Sequence, residues 1–442
     1  MTQSAYDSIV IGGGSAGMAF ATNAAKFGAR ILVIERAELG GTCVNRGCVP
    51  KKILWSAGQI ARTTRAAAAQ NIATKTAIDY QTLITKRDAH IADIRDIYAG
   101  NLGDAGVALV RGQAVIIDAR TVDVGDTTYT ANQIILACGG RPAEMDIPGA
   151  ALLSNSNDVL GWTTRPDRIT IIGGGYIGCE FAAIFHALGS DVTLIHNGPH
   201  LLDTFPEDLA LHVQKGLAAS GIRIRTDDGV TAVKRTRASL GYTCASGLTD
   251  TADAVVAAAG RTPNIDWLGQ FAETLVVADS GALAISDRFE TSQPGVYAIG
   301  DMADRLPLTP VATADGTALA HMLYGNGAEA VDLDLVATTT FVYPPAAFVG
   351  ETSKETLRSG DLTPLAQNVL SDVDHNEAFY QINAEHDILR GAAIAAHGAE
   401  DIIAMAAALI AAKAPVTSLT KATPVHPSFA EEFFAEQPMQ RR

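Results

Sequence analysis

The chain has 442 residues, more than one hydrophobic core accommodates, so several domains are expected. Hydrophobic residues make up 48% and charged residues 18%, a globular balance that excludes intrinsic disorder. A net charge of −15 with no lysine–arginine block excludes nucleic acid and anionic membrane as partners of the surface as a whole.

The start, "MTQSAYDSIVIGGG", runs from a few polar residues straight into a strand and shows neither a secretory nor a transit pattern, so a cytoplasmic protein is expected. "DSIVIGGGSAGMAFATNAAKFGARILVIE" then reads as strand, glycine turn, helix and strand. Gly12, Gly14 and Gly17 give G-x-G-x-x-G, and Glu35 ends the second strand. The glycines allow a tight turn and close backbone approach. The helix N-terminus holds a pyrophosphate, and the acid accepts from a ribose hydroxyl. A dinucleotide is expected in this fold.

Next comes "GGTCVNRGCVPKK" at 40–52, with four residues between Cys43 and Cys48. Zinc needs about four ligands, and no second cysteine or histidine pair stands nearby at ligand spacing. A static disulfide would close only a tiny loop, with little entropic benefit. A dithiol that cycles between oxidised and reduced forms is the remaining reading. "VPKKILWSAGQIAR" is helix-forming with Pro50 in its first turn, so Cys48 lies at a helix N-terminus beside lysines, where a thiolate is favoured. The other three cysteines, Cys138, Cys179 and Cys244, read as core thiols.

"IILACGGRP" (134–142) and "AVVAAAGRTPN" (254–264) are buried strands ending in glycine and arginine. Between them, "RITIIGGGYIGCEFAAIFHALGSDVTLIH" repeats the glycine spacing at Gly173, Gly175 and Gly178, with His196 where the first fold has Glu35. Two dinucleotide folds in one chain point to two cofactors that exchange electrons, a hydride carrier and a flavin. "GVYAIGDMAD" (295–304) ends on Gly300-Asp301, an aspartate that suits a flavin's ribitol hydroxyls or caps the helix that follows. The apolar run "IIAMAAALIAA" at 402–412 is too short to span a bilayer and reads as a buried helix. In "HPSFAEEF", His426 is followed five residues later by Glu431, a base and a carboxylate to orient it. Thiol exchange needs such a group to protonate the leaving thiolate.

Together, "GGGSAG", "GGTCVNRGCVPKK", "GGGYIG", "YAIGD" and "HPSFAEEF" resemble the pyridine nucleotide–disulfide oxidoreductases along the whole chain. Within that family the "PKK" ending and "IYAGNLGDAGVALVRGQAVI" (97–116) look most like the glutathione reductases. The resemblance implies an α/β fold with two Rossmann-like domains, the second inserted in the first, and a C-terminal α+β dimerisation domain. FAD binding would fall to 1–143 and 264–332, NAD(P)H binding to 144–263, and dimerisation to 333–442.

It also implies residue roles. Cys48 would be the charge-transfer thiol against the flavin and Cys43 the interchange thiol that attacks a small-molecule disulfide. Lys51 and Glu180 match an ion pair beside the flavin, although either alone reads as a helix-surface charge. His426 and Glu431 would serve the opposite subunit of a homodimer, so that the site is shared. FAD contacts would come from Gly12, Gly14, Ser15, Gly17, Glu35, Thr42, Gly139, Asp301 and Thr309. NAD(P)H would meet Gly173, Gly175, Tyr176, Ile177, Gly178, His196, Asn197, Gly260 and Arg261, with Tyr176 as a movable lid. No metal is expected.

The sequence departs from the glutathione reductase pattern in two places. Asn197 and Asp203 stand where arginines grip a 2′-phosphate, and His196 stands where NAD-specific relatives have an acid, which leans slightly to NADH. Thr22, Asn23 and Thr317 stand where arginines hold glutathione's carboxylates, while Ser15 and Tyr98 match substrate-contacting positions. Glutathione disulfide, an amidated form and another weakly anionic disulfide all remain open. Dihydrolipoamide dehydrogenase is the rival enzyme, and a non-enzymatic FAD redox sensor the rival of another class. Mercuric reductase and the large thioredoxin reductases need a C-terminal thiol or selenol pair, and the last cysteine here is Cys244.

Overall fold

The computed structural model describes residues 5–74, 77–353, 356–362 and 378–431. They form two compact units, each assembled from three stretches of chain. The first unit comprises Met1–Lys51, Ile84–Ala143 and Arg261–Leu333; the second comprises Lys52–Leu83, Glu144–Gly260 and Asp334–Arg442. Among the described residues, no helix is long and apolar enough to cross a membrane.

In the first unit, strands Ala108–Arg111, Ile31–Glu35, Tyr6–Ile11, Thr127–Leu136 and Val296–Ala298 lie side by side and all run parallel. Their hydrophobic runs follow from burial on both faces. Ile9, Ile11, Leu32, Ile34, Ile134 and Leu136 pack one face of the sheet. Val10, Ile31, Val33 and Ile135 pack the other, the two-residue alternation of a strand. The antiparallel strands Ala114–Asp118 and Thr121–Val124 continue from the Thr127–Leu136 edge.

The strand order reverses at Tyr6–Ile11, where the chain steps to Ile31–Glu35 on one side and Thr127–Leu136 on the other. In doubly wound sheets the crevice at the carboxyl ends beside such a reversal is the ligand site. Gly12, Gly139 and Asp301 all follow the carboxyl ends of these strands. Helix Ser15–Lys26 crosses helix Thr309–Tyr324 at close range. The crossing depends on Gly316, where a Cβ would lie 2.3 Å from the Ala16 carbonyl oxygen.

The second unit contains a parallel sheet in the order Arg223–Arg225, Asp191–Ile195, Arg168–Ile172, Ala254–Ala257, Ser154–Asn155. A three-stranded antiparallel sheet, 230–252, joins it through a core of Ile172, Ile195, Val233, Tyr242 and Val255. The same unit holds a C-terminal antiparallel sheet in the order Thr338–Thr340, Ala346–Gly350, Ile388–Ala395, Ala378–Glu385, Thr356–Leu362. Helix Ala399–Ala411 lies on that sheet and buries Ile402, Ile403 and Ala406, as its apolar run implied. The mixed α/β class and the α+β C-terminal part are thus those expected.

One buried ion pair ties the first unit's last helix to the chain that precedes it. Asp315 is fully buried and accepts from Arg305 Nε with both oxygens at 3.1 Å, while Arg305 Nη2 donates to the Val331 carbonyl at 2.9 Å. Burial holds the Asp315 carboxyl above the ordinary range, opposed by the guanidinium. Removing one partner of such a pair leaves an uncompensated buried charge. Arg305→Ala is therefore expected to destabilise the protein by about 3–5 kcal/mol in urea unfolding. A carboxyl held high in the folded state favours folding when protonated, so the deficit should be smaller near about pH 5 than near about pH 8.

Candidate active site

The first glycine turn has the shape a dinucleotide needs. Gly12 has φ +112°, and a Cβ there would lie 2.3 Å from the Ala137 carbonyl oxygen; at Gly17 it would lie 2.0 Å from the Gly12 carbonyl oxygen. Helix Ser15–Lys26 follows with no acidic residue in its first turn, leaving its positive end free for phosphate. Glu35 accepts from Gly13 N–H through Oε2 and from Ala37 N–H through Oε1, both at 2.7 Å. Each carboxylate oxygen keeps a lone pair for a ribose hydroxyl. On the neighbouring strand end, Asn264 fixes the turn at Gly139 by donating from its backbone to the Gly139 carbonyl and from Nδ2 to the Cys138 carbonyl. Asp301 is mostly buried, and burial lifts its carboxyl against the pull of Arg261, whose Nη2 lies 3.7 Å away. Arg261 also donates to the Gly140 carbonyl at 2.7 Å. This arginine, expected at the pyridine nucleotide, thus sits beside an FAD candidate in the first unit. The turn, the helix end, Glu35 and Asp301 together fit the diphosphate and hydroxyls of FAD.

The cysteine pair occupies the same unit. Cys43 lies in the short helix Gly41–Arg46, and Cys48 begins the helix Cys48–Ala69, where its position at the N-terminus was expected. Both are thiols. Cys43 is hydrogen-bonded to Cys48, and that contact, followed by burial, drives the Cys43 proton affinity far above the ordinary thiol range. The hydroxyls of Thr309 and Ser15 also bond Cys43 and act in the opposite direction. Thr309 Oγ1 lies 3.4 Å from Cys48 Sγ as well. Thr309 and Ser15, expected as FAD contacts, therefore meet at the thiols. Tyr98 is close enough for Cys43 to add to the burial that raises its phenol. Thr42 is exposed.

Two residues that no motif marked hold this loop. Asn45 Nδ2 donates to the carbonyls of Leu39 and Gly41, both at 2.9 Å, and Arg95 Nε donates to Asn45 Oδ1 at 2.6 Å. Asn45 lies between the cysteines, so a polar residue there was the available signal; Arg95, fifty positions on, gave none.

Asn23 and Thr317 come together where helices Ser15–Lys26 and Thr309–Tyr324 cross, with Asn23 Nδ2 3.4 Å from Thr317 Oγ1, and Thr22 precedes Asn23 on the first helix. Their donors turn inward: Thr22 to the Met18 carbonyl, Thr317 to Thr313, and Asn23 to Ala19.

In the second unit, Gly173 has φ +114° and Gly178 packs against it, while around Gly175 the space is open. Tyr176 is the first residue of helix Tyr176–Ala187, and Ile177 follows it. His196 is buried, and its Nδ1 accepts from Gly174 N–H at 3.1 Å; Asn197 is exposed. Open space at Gly175, the helix end and a polar side chain on Gly174 fit a second dinucleotide. Gly260 ends this unit's second stretch and Lys51 ends the first stretch of the other unit. Glu180 is buried, with Oε1 accepting from Phe341 N–H at 2.9 Å. Lys52, the second lysine of "PKK", is held by Glu400 at 3.0 Å and by the rings of Phe341 and Trp55.

His426 Nδ1 lies 2.7 Å from Glu431 Oε1, and Ser428 N–H donates to Glu431 Oε2 at 3.1 Å. The Ser428 bond, then His426, keeps the Glu431 carboxyl below its ordinary range. The His426 ring is largely exposed, and the last two residues of "HPSFAEEF", 432–433, lie outside the described residues.

The clamp on the cysteine loop gives a measurable expectation. Asn45→Ala removes three hydrogen bonds, each worth about 1 kcal/mol net. Turnover should fall about tenfold or more with FAD content unchanged, as read by flavin absorbance alongside steady-state kinetics.

The comparisons with known proteins agree with this geometry. Residues 6–316 match the family model "Pyridine nucleotide-disulphide oxidoreductase", and residues 336–436 match that family's dimerisation domain. The chain is 34% identical to a glutathione reductase of Nostoc sp., over 97% of this chain and 98% of that protein. It is 35% identical to a glutathione reductase of Burkholderia cepacia, over 97% of each. A chloroplastic/mitochondrial glutathione reductase of Pisum sativum is 31% identical over 97% of this chain and 81% of its own. The chain belongs to the pyridine nucleotide–disulphide oxidoreductase family, with glutathione reductases among its relatives.

Proposed function

We propose that this protein reduces a small glutathione-type disulfide at Cys43 and Cys48, with electrons drawn from NADH. The observation that carries the reading is the thiol pair itself. Cys43, Cys48, Ser15, Thr309 and Tyr98 converge in the unit whose glycine turn fits FAD. Family membership implies FAD, a pyridine nucleotide and a dimer. FAD, when bound, accepts hydride from the pyridine nucleotide and supplies an electron pair to the Cys43–Cys48 disulfide. We assign it to 1–143 with 264–332, the pyridine nucleotide to 144–263, and the dimer contact to 333–442.

The reduced pair shares one readily lost proton. Cys48 stands at a helix N-terminus, where a thiolate is favoured, while burial raises Cys43, so in our reading the negative charge belongs on Cys48. Cys43 then needs a base before it attacks. In our reading that base is His426 of the partner subunit, with Glu431 of the partner subunit keeping the imidazole in one tautomer. Cys43 Sγ attacks one sulfur of the substrate, the substrate S–S bond breaks, and the imidazolium protonates the departing thiolate. Cys48 Sγ next attacks Cys43 Sγ, expels the second half of the substrate as a thiolate that takes its proton from water, and closes the Cys43–Cys48 disulfide. Lys51 and Glu180 would balance charge near the flavin.

Substrate choice follows from the uncharged side chains at the helix crossing, beside which Lys26 Nζ donates to Asn23 Oδ1 at 3.0 Å. Thr22, Asn23 and Thr317 spend their donors on helix carbonyls and carry no charge, which supports a substrate with fewer carboxylates than glutathione disulfide. The lack of arginines at Asn197 and Asp203 supports NADH. Few cysteines and a cycling dithiol suit a cytoplasmic setting.

Steady-state assays with NADH, comparing glutathione disulfide with its diamide, test this reading. The diamide should show the higher kcat/KM, His426→Ala should cost about 10²–10⁴-fold, and Cys43→Ser should abolish turnover while leaving FAD bound. Disulfide reduction unaffected by Cys43→Ser would overturn it.

A further inference from the structure

The two glycine turns repeat one hydrogen-bond pattern with opposite polarity at its end. Gly12 N–H donates to the Ile34 carbonyl at 2.9 Å, and Gly173 N–H to the Ile195 carbonyl at 2.8 Å. The following glycine then donates to the side chain that ends the second strand: Gly13 to Glu35 Oε2 at 2.7 Å, and Gly174 to His196 Nδ1 at 3.1 Å. His196 therefore takes the place of the acid in space as well as in sequence. A carboxylate offers only acceptors to a ribose, whereas an imidazole accepting through Nδ1 carries its proton on Nε2.

Among the described residues that Nε2 has no hydrogen-bond partner, although His196 is only 8% exposed. A buried donor without an acceptor is rare and calls for one. At Gly198 a Cβ would lie 2.7 Å from Nε2, so only glycine fits against the ring there. The surrounding charges argue against a phosphate. Asp203 and Asp227 act on the imidazole together with His200, and burial outweighs the two aspartates to keep the ring neutral. Arg225, on the strand beside Ile195, lies 3.6 Å from Asp228.

We infer that His196 selects the pyridine nucleotide by donating from Nε2 to the 2′-oxygen of an unphosphorylated adenosine ribose. The inference rests on the reading that this unit holds a pyridine nucleotide, and adds which atom recognises it and in which direction the hydrogen bond runs. NAD-type recognition is thereby reached with a donor in place of the usual acceptor.

Calorimetric titration of the FAD-loaded, oxidised protein with NAD⁺, its 2′-deoxyadenosine analogue and NADP⁺ tests it without turnover. NAD⁺ should bind about tenfold more tightly than the deoxy analogue, a difference of about 1.4 kcal/mol, and more tightly than NADP⁺. His196→Leu should bind NAD⁺ and the deoxy analogue equally. His196→Gln, whose amide keeps a donor and an acceptor, should retain the preference and guards against a folding defect. Equal binding of NAD⁺ and the deoxy analogue by the unaltered protein, or tighter NADP⁺ binding, would overturn the inference while leaving a dinucleotide site in place. No binding of any of the three, with no bleaching of the flavin by NADH or NADPH, would overturn the proposed function as well.

Discussion

The site depends on how closely backbone passes backbone at the carboxyl ends of the first unit's strands. A Cβ at Gly41 would lie 2.7 Å from the Gly14 Cα, so only a glycine there lets the cysteine loop lie against the cofactor turn. Gly316 does the same for helix Thr309–Tyr324, which it brings against helix Ser15–Lys26. These two approaches deliver Ser15 from one helix and Thr309 from the other to a single thiol, Cys43. Larger residues at either crossing would separate the thiols from the hydroxyls that bond them. Tight packing of main chain is thus what makes one chemical centre from stretches near residues 15, 43, 48 and 309.

Electrostatics then divides the labour between the two cysteines. They share a hydrogen bond, so both cannot lose their protons cheaply; burial raises Cys43, and Cys48 stands at a helix N-terminus. The His426–Glu431 pair is local in sequence and is held by Ser428, so the fold can present it as a unit.

Much of this was legible in the sequence, for physical reasons. Glycine spacing, strand pattern and a terminal acid are all local, so the turn and the acid beside it were legible, whereas the Glu35 bond to Gly13 N–H was not. The cysteine loop announced itself by spacing and by the helix after it. What stayed hidden was long-range. The resemblance marked Thr309 as a cofactor contact, and nothing local shows its bond to a thiol 261 positions away. Arg95 gave no signal because its partner, Asn45, sits on another helix. His196 read as a missing acid, since a residue list shows chemistry lost but not a hydrogen bond kept. The grouping of the C-terminal sheet with the second glycine fold in one unit was likewise invisible without coordinates.

The most direct measurement of the central claim is a count of cysteine thiols in the denatured protein before and after anaerobic reduction of the FAD-loaded enzyme with NADH. The account predicts that one disulfide's worth of thiol becomes titratable on reduction, and that mass mapping places it at Cys43 and Cys48. A flavin that bleaches with no new thiol at those positions would contradict it.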